Sequence, residues 1–409
     1  MDGAGTLHHA RQVLLLVGLL TFGSATIAQF ATQGVALFLR ASDASSGLIG
    51  LIYVAAIPYT LRFLWAPLVD KFRLGSEGRY AGWLTWSQAI TCLAVLALFV
   101  APPDRAPAAI LGLVSIFMIA LGTQLTALGG LMAAQLEPVF HPRASSVQGM
   151  SSAIAGVFLG AAVLYVLADL GWTFVVAALL SVSLASLAVA LVLAPRVDAQ
   201  VSPVAAAPSM LSHFSIFRKP KARRLFVITF LVNCAIVIPY AAKSILLIDA
   251  GFSIANSALY GLVGGSAVGV LAAFLSRPLV EAIGAIRALA GLGTTNVIVM
   301  ICVGRAAGDA PGAGLTVVSV LFANASVFAT FTVSRAAIMS LCAPGREATE
   351  LTNFVGLETV LYLVIAGIGL ALLDDVGFGT VTIAGVVLTS FGVVLTWPYG
   401  RETHDETAR

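Results

Sequence analysis

Arg335 and Glu358 are the ionisable side chains of this chain that could carry chemistry as a pair, with the proton on the Glu358 carboxyl. Each interrupts a long apolar run, where an ionisable side chain costs a few kcal/mol and therefore faces a cavity or a partner. Arg335 stands about six residues, and Glu358 about eight, from the polar segment 341–350. In helices rising ~1.5 Å per residue, both lie about 10 Å from the same end. Equal depth permits a pair. Burial disfavours a charged carboxylate and a neighbouring guanidinium favours it, so Glu358 between the two would load and release a proton. The other reading of the same residues is a static salt bridge joining two helices.

Two more cations fall inside apolar runs. Arg62 precedes Asp70 by eight residues, or ~12 Å of helix, and reads as an anchor for an anionic substrate, as a gate, or as an Arg snorkelling to the cytoplasmic interface. Lys243 follows Pro239-Tyr240 and reads as an outer gate or a snorkelling Lys. Uncharged polar residues recur at mid-run: Gln29, Gln33, Gln124, Asn233 and Asn324. Gln29 and Gln33 are four apart and share a helical face. For any of them the alternative is an interhelical hydrogen bond worth about 0.6 kcal/mol.

The elements that must position these groups are membrane helices. Hydrophobic residues make up 59% of the 409 and charged ones 10%, against about 25% charged in a soluble domain. There is too little polar surface to meet water. Twelve apolar runs are each long enough to span a bilayer: about 12–39, 47–67, 80–101, 108–135, 146–168, 172–194, 224–248, 254–276, 286–305, 312–340, 351–373 and 378–397. They lack the alternation of a barrel. The first is longer than a signal-peptide core, so it is expected to be retained.

With the N-terminus in the cytoplasm, sixteen of the 22 Lys and Arg lie on the cytoplasmic side. Arg40, Arg105 and Arg305 lie outside, and Arg62, Lys243 and Arg335 within runs. That asymmetry puts both termini inside. The stretch 195–223, with four prolines and a basic run, reads as a linker between bundles at 1–194 and 224–409. A short repeat supports two halves: Pro67-Leu68-Val69-Asp70 ends the second run and Pro278-Leu279-Val280-Glu281 the eighth.

Two six-span halves with a repeat are the plan of the major facilitator superfamily, which the chain resembles. Asp70 and Lys71 match the acid and first base of that family's signature between helices two and three; Ala66 and Arg73 stand where it has glycines. Arg62-Phe63-Leu64-Trp65-Ala66-Pro67-Leu68-Val69-Asp70 is similar to a stretch of the muropeptide permease and acetyl-CoA transporter group. Gln29-Phe30-Ala31-Thr32-Gln33-Gly34 is similar to one in that group's ferric-siderophore importers. The resemblance implies an all-α membrane protein of twelve helices in two pseudo-symmetric bundles. Helices one, four, seven and ten would line the cavity. Asp70, Lys71, Arg73 and Arg143 would form a cytoplasmic latch, with Glu281, Arg277 and Arg287 as its counterpart.

The function expected is proton-coupled import of a ferric siderophore or a similar amphipathic organic solute across a bacterial inner membrane, by a monomer using alternating access. A muropeptide or coenzyme-A ester permease and a drug or metabolite exporter are the alternatives. The partners are a small-molecule substrate, the lipid bilayer and the proton gradient, with no nucleic acid: the net charge is only +3. There is no P-loop, GxGxxG or HExxH, the five histidines lie in polar segments, and the four cysteines are far apart. No cofactor, metal site or catalytic residue is therefore expected. An intramembrane transferase fits less well, because the loops are short and carry no His/Asp cluster.

Overall fold

The computed structural model describes residues 3–42, 46–75, 78–102, 105–159, 171–198, 213–253, 256–257, 259–307 and 312–397. All regular structure among them is helical. Among the described residues, nine helices are long and apolar enough to cross a membrane: Gly5–Thr32, Pro107–Gln135, Trp172–Asp198, Pro220–Ala241, Leu259–Ile283, Ala285–Val303, Ala313–Met339, Glu347–Leu370 and Asp375–Thr396. Ala81–Ala97 is a shorter apolar helix. His141–Val157 opens the expected fifth run, whose end falls outside the described residues.

Proline or glycine stands at two of the departures from the expected runs. The run expected at 47–67 is broken into helices Ser46–Ala55, Ile57–Thr60 and Ala66–Lys71, with a 3-10 turn at Leu61–Leu64. Pro58 and Pro67 stand in the first turns of the latter two helices, where the missing proline N–H does least harm. Arg62 thus sits on a 3-10 turn rather than a continuous helix. Gly377 (φ 79°) separates the last two spans within Glu347–Thr396, three residues beyond the Asp374 where a break was expected. π-helical turns occur at Phe30–Gly34 and Leu259–Gly264, a departure that often marks functional positions.

The chain divides into two compact units. The first comprises 1–144, 154–215 and 339–356, the second 145–153, 216–338 and 357–409. One of the five boundaries between them, at 215/216, falls inside the expected linker 195–223, whose residues 199–212 lie outside the described residues.

In the first unit Ala81–Ala97 packs on both Pro107–Gln135 and Trp172–Asp198, and the first helix packs on the latter two. Ile27, Phe30, Val95, Phe117 and Leu179 belong to the core between them. Trp172 donates its indole N–H to the Leu98 carbonyl at 2.9 Å and meets Phe38 edge-on at 5.2 Å. Asp198 Oδ2 accepts from the backbone N–H groups of Tyr80 and Ala81 at 2.5 and 2.8 Å. It caps the Ala81–Ala97 helix from another helix. Gly78 (φ +71°) makes this possible: a Cβ there would stand 2.2 Å from Asp198 Oδ2.

In the second unit Pro239 lies inside Pro220–Ala241. One turn earlier, the Thr389 hydroxyl is wedged into that helix, donating to Leu231 O and accepting from Ala235 N, both at 2.9 Å. Inserting a hydroxyl into the ladder is a recognised cause of bending. Asn296 ties three helices, donating to Val232 O at 2.9 Å and accepting from Ser326 at 2.6 Å.

Candidate functional site

Asp70 ends the helix Ala66–Lys71 and is 4% exposed. Its Oδ2 accepts from Thr349 N at 2.7 Å and its Oδ1 from Ala348 N at 3.3 Å. These are the first free amides of the helix that begins at Glu347, so the carboxylate meets both orphan donors and the positive end of the dipole. Arg79 lies 3.5 Å from Asp70 and 3.1 Å from Glu347 and also donates to the Asp70 and Gly345 carbonyls. The Tyr80 hydroxyl stands between Asp70 Oδ1 (2.9 Å) and Glu347 Oε2 (3.2 Å). Burial pushes the Asp70 carboxyl up, and Thr349, Arg79 and Tyr80 pull it back.

The expected partners of Asp70 are elsewhere. Lys71 is exposed over the Phe72 ring, and Arg143 is half-buried, 5.5 Å from the Phe140 ring. The cation that matters is Arg79, because the turn at Gly75 and Gly78 folds it back under Asp70. His141 bonds Leu136 O through Nε2 at 3.1 Å and Ser340 Oγ through Nδ1 at 2.9 Å. A carbonyl only accepts, so Nε2 carries the proton in the neutral ring.

The second unit holds a different polar site. Glu358 and Tyr362, four residues apart on one helix, meet at 2.9 Å between carboxyl and hydroxyl. Asn233 donates to the Tyr362 hydroxyl at 2.9 Å and to Thr229 O at 3.2 Å. The Thr229 side chain also hydrogen-bonds Glu358, and Phe230 stacks on Tyr362 at 5.5 Å. Asn233 Oδ1 is buried without a hydrogen-bond partner. Glu358 is 7% exposed. The expected pair with Arg335 is not formed: the carboxyl is met by Tyr362 and Thr229, while the Arg335 guanidinium lies 5.0 Å from the Phe331 ring. Equal depth fixes one coordinate only; the faces that the two helices turn decide the contact.

The remaining candidates are spread over several elements. Arg62 is 4% exposed, donates to Tyr59 O at 2.7 Å and lies 4.7 Å over the Tyr59 ring. Gly122 leaves room for it, since a Cβ there would be 3.2 Å from Arg62 Cβ. Gln124 is fully buried, accepting from Gln88 at 2.8 Å and donating to Leu20 O at 3.4 Å, a tie between three helices. Gln29 is half-buried next to the π turn, and the Gln33 side chain lies outside the described residues. Asn324 donates to Val320 O at 2.8 Å. Lys243 opens the short helix Lys243–Asp249, 4.7 Å from the Tyr240 ring. The expectation passed over Gln148, both of whose amide atoms are buried without hydrogen-bond partners. Among the described residues no group of three His, Cys, Asp or Glu could hold a metal ion.

The profile of the Major Facilitator Superfamily matches residues 13–357, well over half of the chain. The chain belongs to the major facilitator superfamily. Solved structures similar to this superfamily member include a bacterial homologue of the iron transporter ferroportin in an outward-facing state, with TM-score 0.72 at 16% identity, covering 96% of this chain and 99% of that one. The human organic anion transporter MFSD10 gives 0.73 at 14%, covering 95% and 99%. The E. coli fucose:proton symporter FucP (N162A) gives 0.66 at 16%, covering 94% and 97%. At these identities the likeness shows the fold. As a major facilitator, the chain is a multi-pass membrane transporter of the small-molecule class. Its sequence signature was legible at Asp70, whereas Arg79, Tyr80, Glu347 and Tyr362 carried only weak signals: tyrosine and arginine beside loops, and a Glu–Tyr spacing of four.

Proposed function

We propose that this chain is a secondary active transporter of the inner membrane, with twelve helices in two six-helix bundles and both termini cytoplasmic. It imports a ferric siderophore or a similar amphipathic organic solute with protons, by alternating access. The proton coupling rests on one observation. Glu358 is a buried carboxyl held by hydroxyl groups, with no ion-pair partner among the described residues. A permanently charged carboxylate without a counter-ion would be costly there, whereas a group that binds and releases a proton is at home. Asn233 Oδ1 offers a buried acceptor to a substrate N–H or O–H from the same cluster. The Asp70–Arg79–Glu347 cluster latches one conformation, and a protonation cycle at Glu358 drives the exchange. Import and the siderophore class rest on the likeness of the helix-one and helix-two stretches to that importer group.

Proteoliposomes containing the full chain, with an inward proton gradient imposed, are expected to accumulate labelled ferric siderophore above the level without a gradient. Gradient-driven flux in the export direction would replace import by efflux. Turnover of a lipid-linked substrate with no flux of any kind would refute the transporter reading. Full accumulation by Glu358→Gln would remove the coupling assignment and leave transport.

A further inference from the structure

Four groups around the Tyr362 hydroxyl have hydrogen-bonding capacities that close in two ways. The hydroxyl owns one proton and faces two acceptors, Glu358 Oε1 at 2.9 Å and the Thr229 carbonyl at 3.0 Å. Asn233 Nδ2 approaches its oxygen as a donor at 2.9 Å. The Thr229 hydroxyl has the same choice, bonding Phe226 O at 3.1 Å and also reaching the Glu358 carboxyl. With Glu358 ionised, Tyr362 and Thr229 both donate to it, and Asn233 supports the tyrosine oxygen. With Glu358 protonated, its O–H donates to the tyrosine oxygen. Tyr362 then turns its proton to Thr229 O, and Thr229 turns its own to Phe226 O. A phenolic oxygen accepts two hydrogen bonds, so Asn233 stays in place throughout. Every donor has an acceptor in both states, and only hydroxyl rotors move.

We propose that Glu358, Tyr362, Thr229 and Asn233 form a proton-binding site in which the Tyr362 and Thr229 hydroxyls switch between the carboxyl and backbone carbonyls as the proton comes and goes. Tyr362 is a positioning residue here: it acts through Glu358. The step is proton binding alone. A proton from water joins a Glu358 oxygen, one O–H bond forms, and the other hydroxyl protons rotate without leaving their oxygens. The Phe230 ring, stacked at 20° to Tyr362, fixes the phenol so that its oxygen serves both acceptors. The titratable groups around the carboxyl are Tyr362 on its own helix and, on Pro220–Ala241, Cys234 near the tyrosine. The nearest helix-ten cation by sequence depth, Arg335, lies against Phe331. A site whose two charge states are equally well bonded changes its proton without reorganising its walls, which is what a carrier that loads on one side and unloads on the other requires. The inference rests on the proton-coupled reading above and names the residues that make it work.

Infrared difference spectra of the full chain in lipid vesicles, titrated with protons alone, test it. A hydrogen-bonded carboxyl C=O band is expected to grow as the wild type is acidified and to vanish in Glu358→Gln. In Tyr362→Phe the band should persist at higher wavenumber, because the carboxyl O–H has lost its acceptor. Its midpoint should rise by about one pH unit, since the charge-assisted bond lost from the ionised form is stronger than the neutral one lost from the protonated form. Thr229→Val should move the midpoint the same way by less, and it serves if the tyrosine variant fails to fold. A band unaffected by Glu358→Gln, or one whose position and midpoint ignore Tyr362→Phe and Thr229→Val, would overturn the proposal. Gradient-driven siderophore uptake alongside such a null result would leave the transporter reading standing. A band that behaves as expected without any gradient-driven uptake would leave the proton site and remove the transport reading.

Discussion

The two copies of the Pro-Leu-Val-acid repeat have taken different physical fates. At Pro67–Asp70 the carboxylate is buried, caps two amides at the start of a helix and pairs with Arg79. At Pro278–Glu281 it is about a third exposed and pairs along its own helix with Arg277, four residues back, at 3.0 Å. Pro67 opens a helix after a break, whereas Pro278 lies inside one that runs on to Ile283. The difference teaches that a repeated sequence preserves position better than energetics. An exposed i,i+4 pair contributes a few tenths of a kcal/mol, while breaking a buried pair costs several. Of the expected counterpart cluster of Glu281, Arg277 and Arg287, the pair Arg277–Glu281 lies at the surface.

The sharpest way to break this contrast is Asp70→Ala. It is expected to lower stability by about 3–5 kcal/mol, because it strands two helix-start amides and takes away one of the two carboxylates that meet the buried Arg79 guanidinium; thermal unfolding in detergent, followed by tryptophan fluorescence, reads it. Next comes the pair of glycines after each acid. Gly78→Ala should cost about 1–3 kcal/mol, combining a left-handed backbone with a collision against Asp198. Gly284→Ala, at φ +79° and ψ 158°, meets open space and should cost about 1–3 kcal/mol from the backbone alone, with no collision to add to it. Equal losses at the two positions would erase the distinction.

A pH test addresses the first region only. Burial pushes the His141 imidazole below its usual 6.5. The folded state then binds fewer protons than the unfolded one, so stability is fully present above about 6.5 and falls as the pH drops through and below it. His141→Gln should show a flatter decline in melting temperature between neutral and mildly acidic buffer. The same variant in a background of Asp70→Ala tells whether the two share a unit of stability. The smallest effect is expected for Glu281→Gln, within about 0.5 kcal/mol of wild type and shrinking further in high salt.

Much of the architecture was legible because lipid imposes length and apolarity on each crossing. The runs around Pro107–Gln135, Trp172–Asp198 and Ala313–Met339 are cases where hydropathy and helix nearly coincide. The second run was less legible, since its prolines cut a continuous apolar stretch into short pieces. Asp70 could be read because a charge beside a membrane segment is conspicuous. Its partners could not, because Glu347 follows it by hundreds of residues and only a folded chain brings them together. Asn233 was visible as an amide in an apolar run, but Tyr362 was not, since tyrosine is ordinary in membrane helices. Arg335 and Glu358 show the limit of depth arguments: the helical rise follows from residue count, the facing direction does not.

Asp198 caps a helix that precedes it by 118 residues, and Asp70 caps one that follows it by 278. At about 5–20 residues per second of synthesis, the first cap is missing for roughly 6–24 s and the second for about 14–56 s. Throughout that interval the growing protein carries a helix start with bare amides and an acid whose eventual partner has not been translated. Insertion machinery therefore has to keep both ends wet until the later segments arrive, and a stalled or truncated polypeptide would expose them to quality control.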